Sequence, residues 1–205
     1  MSTIRSFIAI ELSTEARAAL AKVQDRLKSV TPPRSVRWVA PESIHLTLHF
    51  LGNVSAAEVA KVTTLLQNEP GTYRPFALRL EGLGCFPNTR RPRIVWVGVS
   101  GETEPLVALQ RELGRQLGVI DYVPDSRPYS PHLTIGRVTK GLQSRELSRL
   151  GELLEQQQAG VGQLAALPVT EISLMRSDLK PTGPVYTRVA RGRLHSDDKR
   201  TEFSE

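Results

Sequence analysis

A single cysteine, Cys85, stands among the 205 residues, so no intrachain disulfide can close and no cysteine-based zinc site can assemble. Aromatic residues make up only 5% of the chain. They form no aromatic-rich segment of the kind that reads RNA, and with no Cys/His finger either, no recognisable nucleic-acid motif is present. Long apolar runs are also missing. The opening Met1-Ser-Thr-Ile-Arg-Ser-Phe-Ile-Ala-Ile reaches Glu11 too soon for a signal peptide or a membrane span. These absences predict a reducing, cytoplasmic home away from membranes.

What is present suits a folded protein. The chain is 40% hydrophobic and 23% charged, too apolar to stay disordered. A formal net charge of +6 and a pI near 9.8 favour an anionic partner without naming one. Phe7 to Leu12 reads as a strand. Ser13 then caps a helix whose apolar positions Ala16, Ala19, Leu20, Val23, Leu27 and Val30 follow the 3.6-residue period, ended by Pro32 and Pro33. Strands over Val36–Val39 and Ile44–Leu51 follow, then a helix opened by the capping box Ser55/Glu58, then strands Phe76–Phe86 and Arg93–Val99.

The order recurs: a helix from about Thr103 to Leu117, an extended Tyr122–Tyr129 stretch, a strand Pro131–Val138, a helix from Ser144, and strands near Val169–Met175 and Val185–Arg191. Both halves read helix, strand, strand, helix, strand, strand. The reading is one duplicated domain over residues 1–194, with 195–205 a charged, disordered tail.

Within that repeat one tetrapeptide shape appears twice, His45-Leu-Thr-Leu48 and His132-Leu-Thr-Ile135, each shortly after a proline. Chance rarely supplies two such copies at matched places. In a strand, His45 and Thr47 project to one side and Leu46 and Leu48 to the other, and the second copy behaves alike. If the halves are related by pseudo-symmetry, two imidazoles and two hydroxyls line one concave site. Two neutral-pH proton carriers suit a displacement in which one takes a proton from the attacking oxygen and the other gives one to the leaving oxygen. Phosphodiester cleavage needs both, and Thr47 and Thr134 can donate to the non-bridging oxygens.

These motifs resemble the two-histidine phosphoesterase family, and more closely its bacterial and archaeal RNA 2',3'-cyclic phosphodiesterases, formerly called 2'-5' RNA ligases. The resemblance extends over Arg5-Ser-Phe-Ile-Ala-Ile, Arg37-Trp-Val, His45-Leu-Thr-Leu-His-Phe-Leu-Gly52, Arg93-Ile-Val-Trp-Val-Gly98, Pro131-His-Leu-Thr-Ile-Gly-Arg137 and Ser177-Asp-Leu-Lys-Pro-Thr-Gly-Pro-Val-Tyr186. It implies an α+β fold of two pseudo-symmetric lobes, each an antiparallel sheet flanked by helices, with the cleft between them. It also implies a monomer that hydrolyses RNA ends bearing a 2',3'-cyclic phosphate to a 2'-phosphate without metal or cofactor. His45 would donate the proton to the leaving 3'-oxygen and His132 would accept one from water; the symmetric motifs do not orient the pair by themselves.

Other residues keep two readings. Strict alternation puts Arg137 on the Leu133/Ile135 face, whereas a bulge at Gly136 would turn it toward phosphate. Trp38, Phe50 and Tyr129 flank the motifs and either stack a base or belong to the core. Period two places His49 on the His45 side, bordering the groove and too far along the strand to share a zinc ion with it. The Arg90-Arg91-Pro-Arg93 cluster is a solvated turn or a contact for backbone phosphate. Rival functions are ATP-independent 2'-5' joining of RNA ends, hydrolysis of small cyclic nucleotides, and a non-catalytic RNA-binding module.

Overall fold

The computed structural model describes residues 3–68, 73–124, 127–181 and 183–195. Nine strands and four helices occur among these residues: β1 (Thr3–Glu11), α1 (Thr14–Val30), β2 (Val36–Trp38), β3 (His45–Ser55), α2 (Ala56–Asn68), β4 (Phe76–Phe86) and β5 (Ile94–Gly101), then α3 (Thr103–Gln116), β6 (His132–Val138), α4 (Ser144–Gln158), β7 (Gln163–Val169), β8 (Glu171–Lys180) and β9 (Gly183–Arg193). Local chemistry sets the helix starts. The Ser13 hydroxyl accepts from the Ala16 amide at 3.2 Å to open α1, and Ser55 and Glu58 exchange bonds of 2.6 and 3.3 Å to open α2. The expected strand near Val169–Met175 is two strands. β7 was missed because Gln163-Leu-Ala-Ala-Leu-Pro-Val169 is alanine-rich and holds a proline, which a sheet edge tolerates.

The sheet runs in the order β7-β4-β5-β6-β3-β1-β8-β9, all antiparallel where neighbours pair. Its two four-stranded halves join through β3 and β6 at a single bridged pair, Leu46 with Leu133. The lobes are therefore not the two halves of the chain. Hairpin β4–β5 leaves the first half to flank β6, and β8–β9 returns from the C-terminus to flank β1. Each copy of the repeat lends its last hairpin to the other's sheet, which ties the lobes into one core that includes Ile8, Leu20, Leu46, Leu78, Leu113, Leu133 and Leu154.

The core-facing alternation breaks just past the threonine in each motif strand, and β3 breaks again at Leu51, between the Phe7–Phe50 and Ser6–Gly52 pairs. In β3, Ile8 pairs with His49 but Ala9 pairs with Thr47, so Leu48 is an extra residue. In β6, Val95 pairs with Gly136 but Trp96 pairs with Thr134, so Ile135 is extra. Such bulges swap every later side chain to the opposite face. Both are at the same place in the motif, just beyond the threonine. At the C-terminal end, Leu194 is buried and the His195 amide donates to Tyr73 O at 3.0 Å. Residues 196–205 of the expected tail lie outside the described residues.

Candidate active site

The bridged pair Leu46–Leu133 fixes the site. Both leucines are fully buried on the helix side, so the residues on either side of each point to the opposite, concave face. The antiparallel sense sets His45 across from Thr134 and Thr47 across from His132. The two histidines are then diagonal neighbours, with β-carbons about 7–8 Å apart, a span that accommodates one phosphate between two imidazoles. All four side chains are half-buried.

The histidines are anchored alike. Nδ1 of His45 lies 2.9 Å from Ser43 O, and Nδ1 of His132 lies 2.8 Å from Ser130 O. A carbonyl can only accept, so each Nδ1 carries the proton and each Nε2 is left to exchange protons with whatever occupies the cleft. Aromatic walls hold the rings. Phe7 stacks on His45 with centroids 4.5 Å apart, and Tyr186 meets both edge-on at 5.1 Å. Phe86 meets His132 edge-on at 4.9 Å, with Trp96 behind it at 5.3 Å. These wall residues were missed in the sequence. Their strands are β1, β9, β4 and β5, and only the sheet order shows that they flank the motifs.

Electrostatics act on His45. Burial, reinforced by the Arg137 guanidinium, pushes His45 down to about 4, against opposing contributions from the Ser43 carbonyl and Glu11. Glu11 is itself held: burial alone would raise its carboxyl, but hydrogen bonds from Arg188 at 2.7 and 3.0 Å and from Ser173 at 2.6 Å keep it below the usual carboxylate range.

The bulges decide the remaining candidates. Arg137 follows the β6 bulge and joins the concave face, exposed, with its charge felt at His45 and Tyr186. Strict alternation would have buried it behind the site. His49 goes the other way. The β3 bulge turns it from the His45 side into the core at 3% exposure, where its ring lies 2.6 Å from Gln110 O and 3.3 Å from the Tyr122 hydroxyl; burial lowers its pKa despite the bond to Gln110. It does not border the groove.

Trp38 and Tyr129 are also corrected. Trp38 pairs with Gly136 and lays its ring over that glycine on the core side, so it is not a wall of the cleft. The Tyr129 hydroxyl donates to Thr47 O at 2.9 Å, and burial raises its pKa. It pins the segment leading into His132 onto β3, so its polar end is already used. Phe50 is the member of the trio on the concave face, 47% exposed with Arg5 Cζ 4.5 Å above its ring. The Arg90, Arg91 and Arg93 side chains are exposed, in a turn whose Arg90 and Arg91 amides donate to Asn88 Oδ1 at 3.1 and 3.0 Å.

Two carbonyl-anchored imidazoles on one concave sheet face, each with a threonine from the neighbouring strand opposite it, define a two-histidine phosphoesterase site. The chain belongs to the family described as LigT like Phosphoesterase, which it matches over residues 10–96 and again over 97–186, with one histidine motif in each stretch. It is 38% identical over 185 residues to an RNA 2',3'-cyclic phosphodiesterase of Methanothermobacter thermautotrophicus, covering 90% of this chain and 95% of that one. It is 31% identical to the protein of the same name from Aquifex aeolicus, covering 92% and 96%. Among solved structures, TT0787 of Thermus thermophilus superimposes with a TM-score of 0.69 at 30% identity, covering 95% of this chain and all of that one. The E. coli LigT complex with 3'-AMP does so with a TM-score of 0.71 at 26% identity and the same coverage.

Proposed function

We propose that this chain is an RNA 2',3'-cyclic phosphodiesterase, acting on RNA ends that bear the cyclic phosphate and leaving a 2'-phosphate. The observation that carries the reading is the matched pair of imidazoles on one face, each held at Nδ1 by a carbonyl and with no hydrogen bond at Nε2 among the described residues. The cyclic phosphate sits between them. Water attacks phosphorus and gives a proton to His132 Nε2 as the P–O3' bond breaks and O3' takes a proton from His45 Nε2. The Thr47 and Thr134 hydroxyls donate to the non-bridging oxygens, and Arg137 offsets their charge. Ligation of RNA ends through 2'-5' bonds would use the same residues in reverse. The chain acts as a cytoplasmic monomer in this reading; no helix among the described residues is long and apolar enough to cross a membrane.

The depressed His45 bears on the roles. In the free protein it is neutral above about pH 4, so as the donor it must gain its proton with the substrate. The anionic phosphate supplies the reason, since it cancels the Arg137 charge and favours the imidazolium. The same depression would suit His45 as acceptor. A substrate with sulfur in place of the leaving 3'-oxygen separates the two, because a thiolate leaves without a proton. It should restore activity to His45→Ala and leave His132→Ala impaired; the opposite pattern would reverse the roles. With the natural substrate each single variant should lose at least about a hundredfold in rate. The double variant should lose far less than the product of the two. Near-native turnover by either single variant would remove the two-histidine mechanism.

A further inference from the structure

β6 has β5 along one edge, but its other edge is shared. β3 meets it at Leu133, and β2 takes over beyond the bulge, with Val36 opposite Val138, Arg37 opposite Arg137 and Trp38 opposite Gly136. Directly opposed residues share a face. Val36 and Trp38 crowd the core side of Gly136, so Arg37 projects with Arg137 onto the concave face. Two guanidiniums are thereby placed side by side on neighbouring strands, with α-carbons about 4.5–5.5 Å apart. Both residues are exposed. Neither has an ion-pair partner among the described residues.

Like charges directly opposed across a ladder destabilise it, and the fold holds this pair firmly. The β2 backbone is clamped to the bulge: the Val39 amide donates to Ile135 O at 3.0 Å, and the buried Gln24 amide donates to Val39 O at 2.7 Å and Ile135 O at 2.8 Å. An anion between or beside the two guanidiniums would relieve the repulsion. Arg137 lies near enough to His45 to act on its charge, so it serves the reacting phosphate. Arg37 is across the ladder from Arg137, on the β6 edge that β3 also occupies, and is not among the charges that act on His45.

We propose that Arg37 binds the phosphodiester one nucleotide upstream of the cyclic phosphate, so that the site reads an RNA chain end in preference to a free cyclic nucleotide. Adjacent phosphates of one strand meet adjacent guanidiniums, Arg137 on the reacting group and Arg37 on its neighbour. This rests on the cyclic phosphodiesterase reading and assigns its substrate: an oligonucleotide rather than a mononucleotide. It also gives the basic surface a local function at the site.

The test compares kcat/KM for cytidine 2',3'-cyclic phosphate, which has no upstream phosphate, with that for a dinucleotide ending in the same cyclic phosphate. The wild type should prefer the dinucleotide. In Arg37→Ala that preference should fall about tenfold, the yield of one charge-assisted hydrogen-bonded contact, with the loss carried by the dinucleotide. The slope of log kcat/KM against log salt for the dinucleotide should flatten by about 0.7, as expected when a single-strand phosphate loses its cation. Arg37→Lys should keep part of the preference. Arg149→Ala, an exposed change on α4, controls for net charge and should leave the ratio alone. Equal losses on both substrates, an unchanged ratio, or a wild type indifferent to the upstream phosphate would each overturn the proposal. A wild type that hydrolyses neither substrate would instead remove the reading beneath it.

Discussion

At the scale of single residues, the two motif histidines share a sequence context, a carbonyl anchor and an aromatic wall, and the Arg137 guanidinium acts on His45. That influence has a measurable consequence. Burial and Arg137 keep the His45 imidazole neutral in the free protein until about pH 4, and below that value it cannot accept a proton. The acid limb of kcat/KM, which reports the free protein, should therefore fall near pH 4 and not near the ordinary histidine value of about 6.5. Because Arg137 is one cause of the depression, Arg137→Gln should move that limb upward while lowering kcat/KM. A rate profile that follows pH does the checking, and a limb unmoved in the variant would mean that Arg137 does not act on His45. The limbs belong to the coupled pair and assign neither role. In the sequence, His45, His132, Thr47 and Thr134 were legible because the chemistry repeats there. Their carbonyl anchors were not, since any residue at position 43 or 130 offers the same backbone oxygen.

At the scale of elements, an inserted residue just past each motif threonine distributes the chemistry. The bulge at Ile135 sends Arg137 into the cleft, and the bulge at Leu48 sends His49 into the core. Gly136 signalled the first; nothing comparable marked the second, and period-two reading put His49 on the wrong face. Gln24, 2% exposed on α1, fixes the β6 bulge through its bonds to Val39 O and Ile135 O. Gln24→Leu leaves Val39 O without that donor and should cost about 1–3 kcal/mol of stability. It should also lower kcat/KM as Arg137 loses its aim. A denaturant midpoint and a rate measured on the same sample check both halves; lost stability with full activity would mean that the bulge holds without its clamp. Gln24 was invisible in the sequence because a lone glutamine on an amphipathic helix looks like any surface residue.

At the scale of the whole molecule, the exchange of last hairpins between the repeats makes the two lobes one core, so acid should unfold them together. His45 is neutral in the folded protein down to about pH 4, whereas the unfolded chain takes up that proton near 6.5. Its contribution is fully present above pH 6.5, is lost as pH falls toward 4, and does not change further below. Integrated over that window the loss is about 3 kcal/mol, and the buried His49, also lowered, adds in the same direction. Urea unfolding measured at pH 7 and at pH 4 should show it, and the difference should shrink in His45→Gln. Stability that is flat across the window would contradict the burial argument. Most helices, most strands and the repeated His-x-Thr tetrapeptides were readable in the sequence alone, because period, caps and repeats are local signals. Which strands flank each motif, which aromatic residues wall the histidines, where Arg137 and His49 point, and the facing of Arg37 beside Arg137 were decided only by tertiary structure. Those properties depend on sheet order and on bulges that pair residues far apart in the chain, and a sheet's facing reverses with a single inserted residue.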